Sequence, residues 1–180
     1  ANQIARRWWE VNVSPVNRTH MWLENGMALY SEVLWAEHDK GASALEQRMH
    51  DTDVTALTVD DVPLIQAARL DDYSPEYWAL TASKGAAVVS MLRSTMGDEK
   101  FFAAIKDFLK ESAWKSVTTA DFRAACEKAA GEDLRYFFIQ WVENNLAPEF
   151  KLDYTIFRTQ KGFRVQGTIS QDLDTFRMPV

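Results

Sequence analysis

The hydrophobic pattern of this chain changes period once, near Pro148, and that change limits the fold more than any other feature. Up to about residue 147, apolar residues recur three and four apart, the spacing that gathers them on one stripe of a helix. Beyond Pro148, the stretch KLDYTIFRTQKGFRVQGTISQ alternates polar and apolar residues, the period of a half-buried strand. Lys161-Gly162 reads as the turn of a hairpin. The expectation is a mainly α body over residues 1–147, followed by the opening strands of a β domain over 148–180. So few strands do not make a closed sandwich, and the first helix reads as one that begins further upstream, so the chain is expected to be a fragment.

Punctuation within the helical body is strong. Residues 1–10 read as helix, and Ser14-Pro15 breaks the pattern in the loop from Val11 to Asn17. Met21, Leu23, Met27, Ala28, Leu29, Val33 and Leu34 predict a long helix that is apolar on most sides, hence buried. A polar helix follows from about Ala42 to Leu57, then an irregular stretch through Asp60, Asp61 and Pro63. Ser74 reads as the N-cap of a helix from Pro75 to Met96 that Gly97 stops. Thr118 and Asp121 read as a capping pair for a helix that Gly131 ends. An amphipathic helix from Asp133 to Asn144 closes the series.

Hydrophobic residues make up 47% of the chain and aromatics 12%, with seven Gly and five Pro, a composition that builds a core instead of a disordered or fibrous chain. The formal charge of −6 comes without any basic cluster, which argues against nucleic acid or an anionic membrane surface as partner. No apolar run approaches the length of about 18 residues that a spanning helix needs. Cys126 is the single cysteine, so neither an internal disulfide nor a Cys-rich zinc site is available.

Chemistry-bearing residues concentrate near the start, where NQIARRWW is followed, past Pro15, by WLENGMALY. This framework resembles the M1 aminopeptidases, whose pattern runs HExxH-x-W-[FW], a loop, then W-L-N-E-G-F-A-x-Y. Eighteen residues separate Arg6 from Asn25, the spacing that the resemblance assigns between the second His and the third zinc ligand. Further along, TASKGAAVVSML, GDEKFFAAIKDFL, VTTADF and DLRYFFIQW resemble successive helices of the same family, in the same order. The resemblance covers residues 1 to about 180. It implies the helical C-terminal subdomain of a thermolysin-like catalytic domain, then the start of a β-sandwich, with zinc as the family cofactor.

At the positions that carry the family's chemistry, this chain departs from the pattern. The resemblance places Asn2 and Arg6 where the two His ligands stand, Gln3 at the general base, Asn25 at the third ligand and Ala82 at the oxyanion-steadying Tyr. Zinc prefers imidazole, thiolate or carboxylate, so Asn2 and Asn25 are poor ligands. Arg6 is always protonated, offers no lone pair and repels a dication. Gln3 takes no proton at neutral pH, and Ala82 has no hydroxyl to give. The expectation is therefore a catalytically inactive aminopeptidase-like module without zinc, binding peptide or protein through the inherited cleft. Its rivals are a working zinc aminopeptidase with an atypical or externally completed site, and a structural spacer.

A buried guanidinium demands acceptors. Glu24, Glu10 or Glu32 could supply carboxylates, with Asn2 and Asn25 as amide partners, making a polar network that replaces the metal. One residue of helix turns a side chain by about 100°, so Glu24 itself is expected to point away from the old metal position. His20 and Glu24 read as a solvated or capping pair, and His38 and His50 have no ligand-spaced partner. Trp8, Trp9, Trp22 and Trp35 are expected to pack in the core instead of forming a binding platform. Lys84-Gly85-Ala86 lies within a helix and is no phosphate loop. Asp60, Asp61, Asp71 and Asp72 lack calcium-loop spacing and read as solvated loop acids.

Overall fold

A computed structural model describes residues 1–145, 148–173 and 176–177. The chain divides into two compact units, Ala1–Asn145 and Leu146–Val180. The domain boundary expected at 147–148 abuts residues 146–147, which lie outside the described residues.

The first unit is helical. Helix α1 (Asn2–Arg6) runs on into a wide π turn (Arg7–Asn12), and β1 (Val13–Pro15) follows. A 3₁₀ turn (Arg18–His20) leads into α2 (Met21–Lys40), and then α3 (Ala42–Ala56). A 3₁₀ segment (Leu64–Arg69) precedes α4 (Pro75–Trp78), which opens into a second π turn (Ala79–Lys84) and narrows again as α5 (Gly85–Met96). Then come α6 (Asp98–Glu111), β2 (Lys115–Val117), α7 (Thr119–Ala130), α8 (Arg135–Phe138) and a third π turn (Ile139–Glu143).

The expected caps stand where hydrogen bonding needs them. The Ser74 hydroxyl accepts from the Tyr77 N–H at 3.0 Å, with Pro75 in the first turn. The Thr118 hydroxyl accepts from the Asp121 N–H while the Asp121 carboxylate accepts from the Thr118 N–H, a reciprocal box. The expected single helix 75–96 is interrupted by its π turn, and the expected helix 133–144 is α only over Arg135–Phe138. A short parallel pairing, β1 against β2 with Ser14 opposite Ser116, joins segments a hundred residues apart.

Helix α2 is the axis of the unit. Trp22, Leu23, Met27, Ala28, Tyr30 and Val33 are all buried, as its all-round apolarity predicts. It crosses α5 at two glycines: a Cβ on Gly26 would stand 2.7 Å from the carbonyl carbon of Gly85. Nothing larger than hydrogen fits between these backbones. On the far side, Phe122 of α7 sits edge-on to Trp22 (centroids 6.0 Å apart), Phe108 (5.2 Å) and Phe138 (6.2 Å), tying α2, α6, α7 and α8 together. Full burial of such a side chain stabilises by about 1.5–3 kcal/mol.

Two tryptophans expected in the core lie at the surface instead. Trp9 and Trp22 are buried, but Trp8 is 49% and Trp35 59% exposed. Helix α1 turns Ala5 and Trp9 inward, so Trp8, about 100° around, faces out. Burial along α2 ends at Val33, and Trp35 in the last turns packs on His38 (centroids 5.7 Å).

The second unit is a hairpin of β3 (Phe150–Thr159) and β4 (Gly162–Gln171), antiparallel, with Leu152 opposite Ile169 and Ile156 opposite Val165. The turn residues are Gln160 and Lys161. Gly162, at φ +132°, opens β4, so the turn sits one residue earlier than the Lys161-Gly162 signal suggests. Mainly α with a terminal hairpin is the fold class expected.

Candidate functional site

Helices α1 and α2 present their polar residues to each other across one short gap. Asn2, Arg6 and Glu10 are spaced four apart, one turn each, so they share a face of α1 and its π turn. Glu24 and Asn25 face them from the first turns of α2. The Arg6 guanidinium lies between the two sets. Its Nε donates to Asn2 Oδ1 at 3.3 Å, and its Nη1 donates to Glu24 Oε1 at 2.9 Å and Glu10 Oε2 at 3.2 Å. Its Nη2 donates to Asn25 Oδ1 at 2.8 Å.

The chain of bonds continues inward. Asn25 is buried, and its Nδ2 donates to the Thr81 hydroxyl at 3.0 Å, which donates to the Tyr77 carbonyl at 2.8 Å. Thr81 belongs to the second π turn, so three elements meet through this set. The Trp78 ring lies 5.9 Å from the guanidinium carbon. Burial pushes the Glu24 carboxyl above its ordinary value and the Glu10 carboxylate adds to that, while the Arg6 charge pulls it back in part.

The structure thus brings together Asn2, Arg6, Glu24 and Asn25. Gln3 is exposed and takes no part, and Ala82 is half-buried beside Thr81. Glu24 does not point away: the guanidinium fork is wide enough for one nitrogen to reach Glu24 and the other Asn25, so a 100° offset does not separate them. Glu10 joins the set and Glu32 does not; Glu32 lines a different groove, with Val33, Arg48 and Asp51. Thr81, Tyr77 and Trp78 are additions that the sequence did not flag: Thr81 lies in the π turn, out of the phase a regular helix implies, and Tyr77 and Trp78 come just before it in α4.

His20 pairs with Thr119 of α7 and not with Glu24. Its Nδ1 accepts from the Thr119 N–H at 3.1 Å and from the Thr119 hydroxyl at 2.9 Å, and that hydroxyl accepts from Trp22 Nε1 at 3.0 Å. Nδ1 is therefore unprotonated and the proton sits on Nε2. Burial lowers the His20 value, with Asp121 opposing in part. A lowered imidazole stabilises the fold above its ordinary range, about pH 6.5, and that contribution is lost as pH falls below it. The thermal midpoint is accordingly expected to fall between pH 7 and pH 5 more steeply for the unchanged chain than for His20→Asn. Equal slopes would remove this role.

The remaining candidates are dispersed. His38 packs on Trp35, and Asp72 pairs with Arg18 at 2.8 Å. Lys84 reaches the Val59 and Val62 carbonyls at 3.4 and 3.3 Å, and so holds the loop that carries Asp60 and Asp61. Cys126 is buried, and burial pushes its thiol up. Among the described residues, no three His, Cys, Asp or Glu side chains come together as a metal-binding group, and no helix is long and apolar enough to cross a membrane.

The Peptidase family M1 domain model matches residues 1–141. Aminopeptidase M1-C of rice is 26% identical over 156 residues, covering 82% of this chain and 17% of its own length. Glutamyl aminopeptidase of Bos taurus is 24% identical over 168 residues, covering 90% and 17%. Aminopeptidase N of Streptomyces lividans is 25% identical, covering 84% and 19%. The chain therefore spans about a fifth of these relatives. An M1 zinc metallopeptidase from Deinococcus radiodurans shares the fold at a TM-score of 0.69 with 22% identity, over 82% of this chain and 33% of that one.

Zinc is the metal named for that structural relative. The residues here do not fit it: the positions that converge carry two amides and a guanidinium, which supply no imidazole, and the carboxylates beside them are bonded to Arg6.

Proposed function

The chain belongs to peptidase family M1, and on that premise we propose that this part of the protein is a non-hydrolytic, aminopeptidase-like module that binds peptide or protein segments in its cleft. One observation carries the reading: the Arg6 guanidinium sits among Asn2, Glu24 and Asn25, where the family pattern calls for metal ligands. A permanent cation there opposes a dication, and Gln3 supplies no base to activate water. Ala82 offers no donor to a tetrahedral intermediate.

Binding is favoured over a spacer role by the aromatic surface beside the site. Trp78 is 37% and Tyr73 79% exposed, with centroids 6.3 Å apart. Aromatic rings held in water suit contact with peptide side chains. The hairpin is read as the first strands of a β-sandwich, a reading supported by the exposed row Leu152, Ile156, Val165 and Ile169 on one face, which a second sheet would cover.

Metal analysis of the purified protein is expected to find well below one zinc per chain, and peptide-amide substrates are expected to remain uncleaved. Stoichiometric zinc together with hydrolysis that a chelator abolishes would refute the reading.

A further inference from the structure

The residues around Arg6 satisfy one another so completely that none of them is understandable alone. Four of the five N–H donors of the guanidinium are used, on Asn2, Glu10, Glu24 and Asn25. The Arg6 side chain is 17% and that of Glu24 12% exposed, so each of these two charges, left without the other, would be an uncompensated and mostly buried ion. Burial and Glu10 both disfavour the charged form of Glu24, and Arg6 is the group that opposes them.

The partners also lie on separate elements. Asn2 and Glu10 come from α1 and its π turn, Glu24 and Asn25 from α2, and Asn25 passes the connection on to Thr81. A guanidinium fork is suited to this role because its planar donors diverge at fixed angles; an ammonium could not serve four acceptors in these directions.

We propose that Asn2, Arg6, Glu24 and Asn25 are one interdependent set, in which Arg6 acts as a resident cation that fastens α1 to α2 without a metal. The inference rests on the non-hydrolytic reading above and goes past it. Chance decay of a metal site would leave unrelated side chains; here the carboxylate stands at position 24 and the amide at 25, where the two nitrogens of the fork need them. Arg6 is in this view a positioning residue. With four of its five donors spent, it cannot give an incoming carboxylate a two-pronged grip.

Double-mutant cycles followed by urea unfolding test the proposal. Arg6→Met and Glu24→Gln are each expected to lower the folding equilibrium constant, Arg6→Met by about tenfold or more, and the double variant to lose clearly less than the product of the two losses. Arg6→Lys, which keeps charge but not the fork, is expected to fall between the unchanged chain and Arg6→Met. The exposed pair Lys128–Glu111, at 2.9 Å with side chains 65% and 61% exposed, serves as a control with little coupling. Independent losses at Arg6 and Glu24, no greater than those of the control, would overturn the proposal; so would a fall in unfolding midpoint of the unchanged chain on adding chelator. If Arg6→Met does not fold, the Arg6→Lys/Glu24→Gln cycle carries the same decision. Stoichiometric zinc in the unchanged chain would defeat the non-hydrolytic reading itself, whereas a metal-free chain with additive cycles would leave that reading standing and remove this one.

Discussion

Alanine in place of Gly26 is expected to destabilise the protein by about 3 kcal/mol or more, at the upper end of what one added methyl group does in a packed core. The new Cβ would lie 2.7 Å from the carbonyl carbon of Gly85, 2.9 Å from its Cα and 3.1 Å from the Ala86 nitrogen. All three are main-chain atoms of a helix, so no side chain can swing aside and α2 and α5 must separate. The sign makes the test sharp. At an open helical position Gly→Ala stabilises by about 0.5–1 kcal/mol, through helix propensity. Gly85→Ala should be milder, since its nearest contacts are 3.1 Å to the Gly26 Cα and 3.3 Å to the Trp22 carbonyl oxygen. A urea midpoint for Gly26→Ala equal to or above that of the unchanged chain would refute the described crossing.

The second large effect is expected at Phe122, where truncation to alanine should cost about 3–5 kcal/mol. The ring is fully buried and meets Trp22, Phe108 and Phe138 edge-on, so its loss opens a cavity shared by four helices. Phe122→Leu retains most of the volume but not the ring geometry, which is worth about 0.5–1.5 kcal/mol per aromatic pair. It should therefore fall between the two in equilibrium unfolding. If alanine and leucine at 122 destabilise equally, the aromatic contacts, and not the filled volume, carry the cost.

What could be read in advance follows from the range of each signal. Caps are local: Ser74 sits three residues from Tyr77, and Thr118 three from Asp121, so the sequence alone identifies both. The period change at Pro148 is local too, and it marks the hairpin. The parallel pairing of Val13–Pro15 with Lys115–Val117 has no such signal, because three residues are too short for a periodicity and the partner is far away. Trp8 and Trp35 show the same limit from the other direction: an aromatic type favours burial, but the facing helix decides which side is covered.

At the site, the identities at positions 2, 3, 6, 25 and 82 were legible as departures from a spaced pattern. That Arg6 would need acceptors was also legible, since a guanidinium out of water requires them. Which acceptors it takes was not. Glu10 and Glu32 are equal as sequence candidates, and the four-residue spacing on α1 favours Glu10 once α1 is seen to continue as a π turn. Thr81 was hidden for a related reason: it lies in a stretch that does not keep the helical period.

The π turn over Ala79–Lys84 has a consequence for everything downstream of it. Closing hydrogen bonds five residues back accommodates one residue more than a regular coil does, and each residue is worth about 100° of rotation. The azimuth of Gly85 is set by that surplus. Excise one residue from the stretch and α5 would be dialled round, so that a side chain, not a bare Cα, would confront Gly26. Loop-like tolerance to deletion is thus not to be looked for at this irregularity: the bulged turn serves as the phasing element that keys one helix against the other.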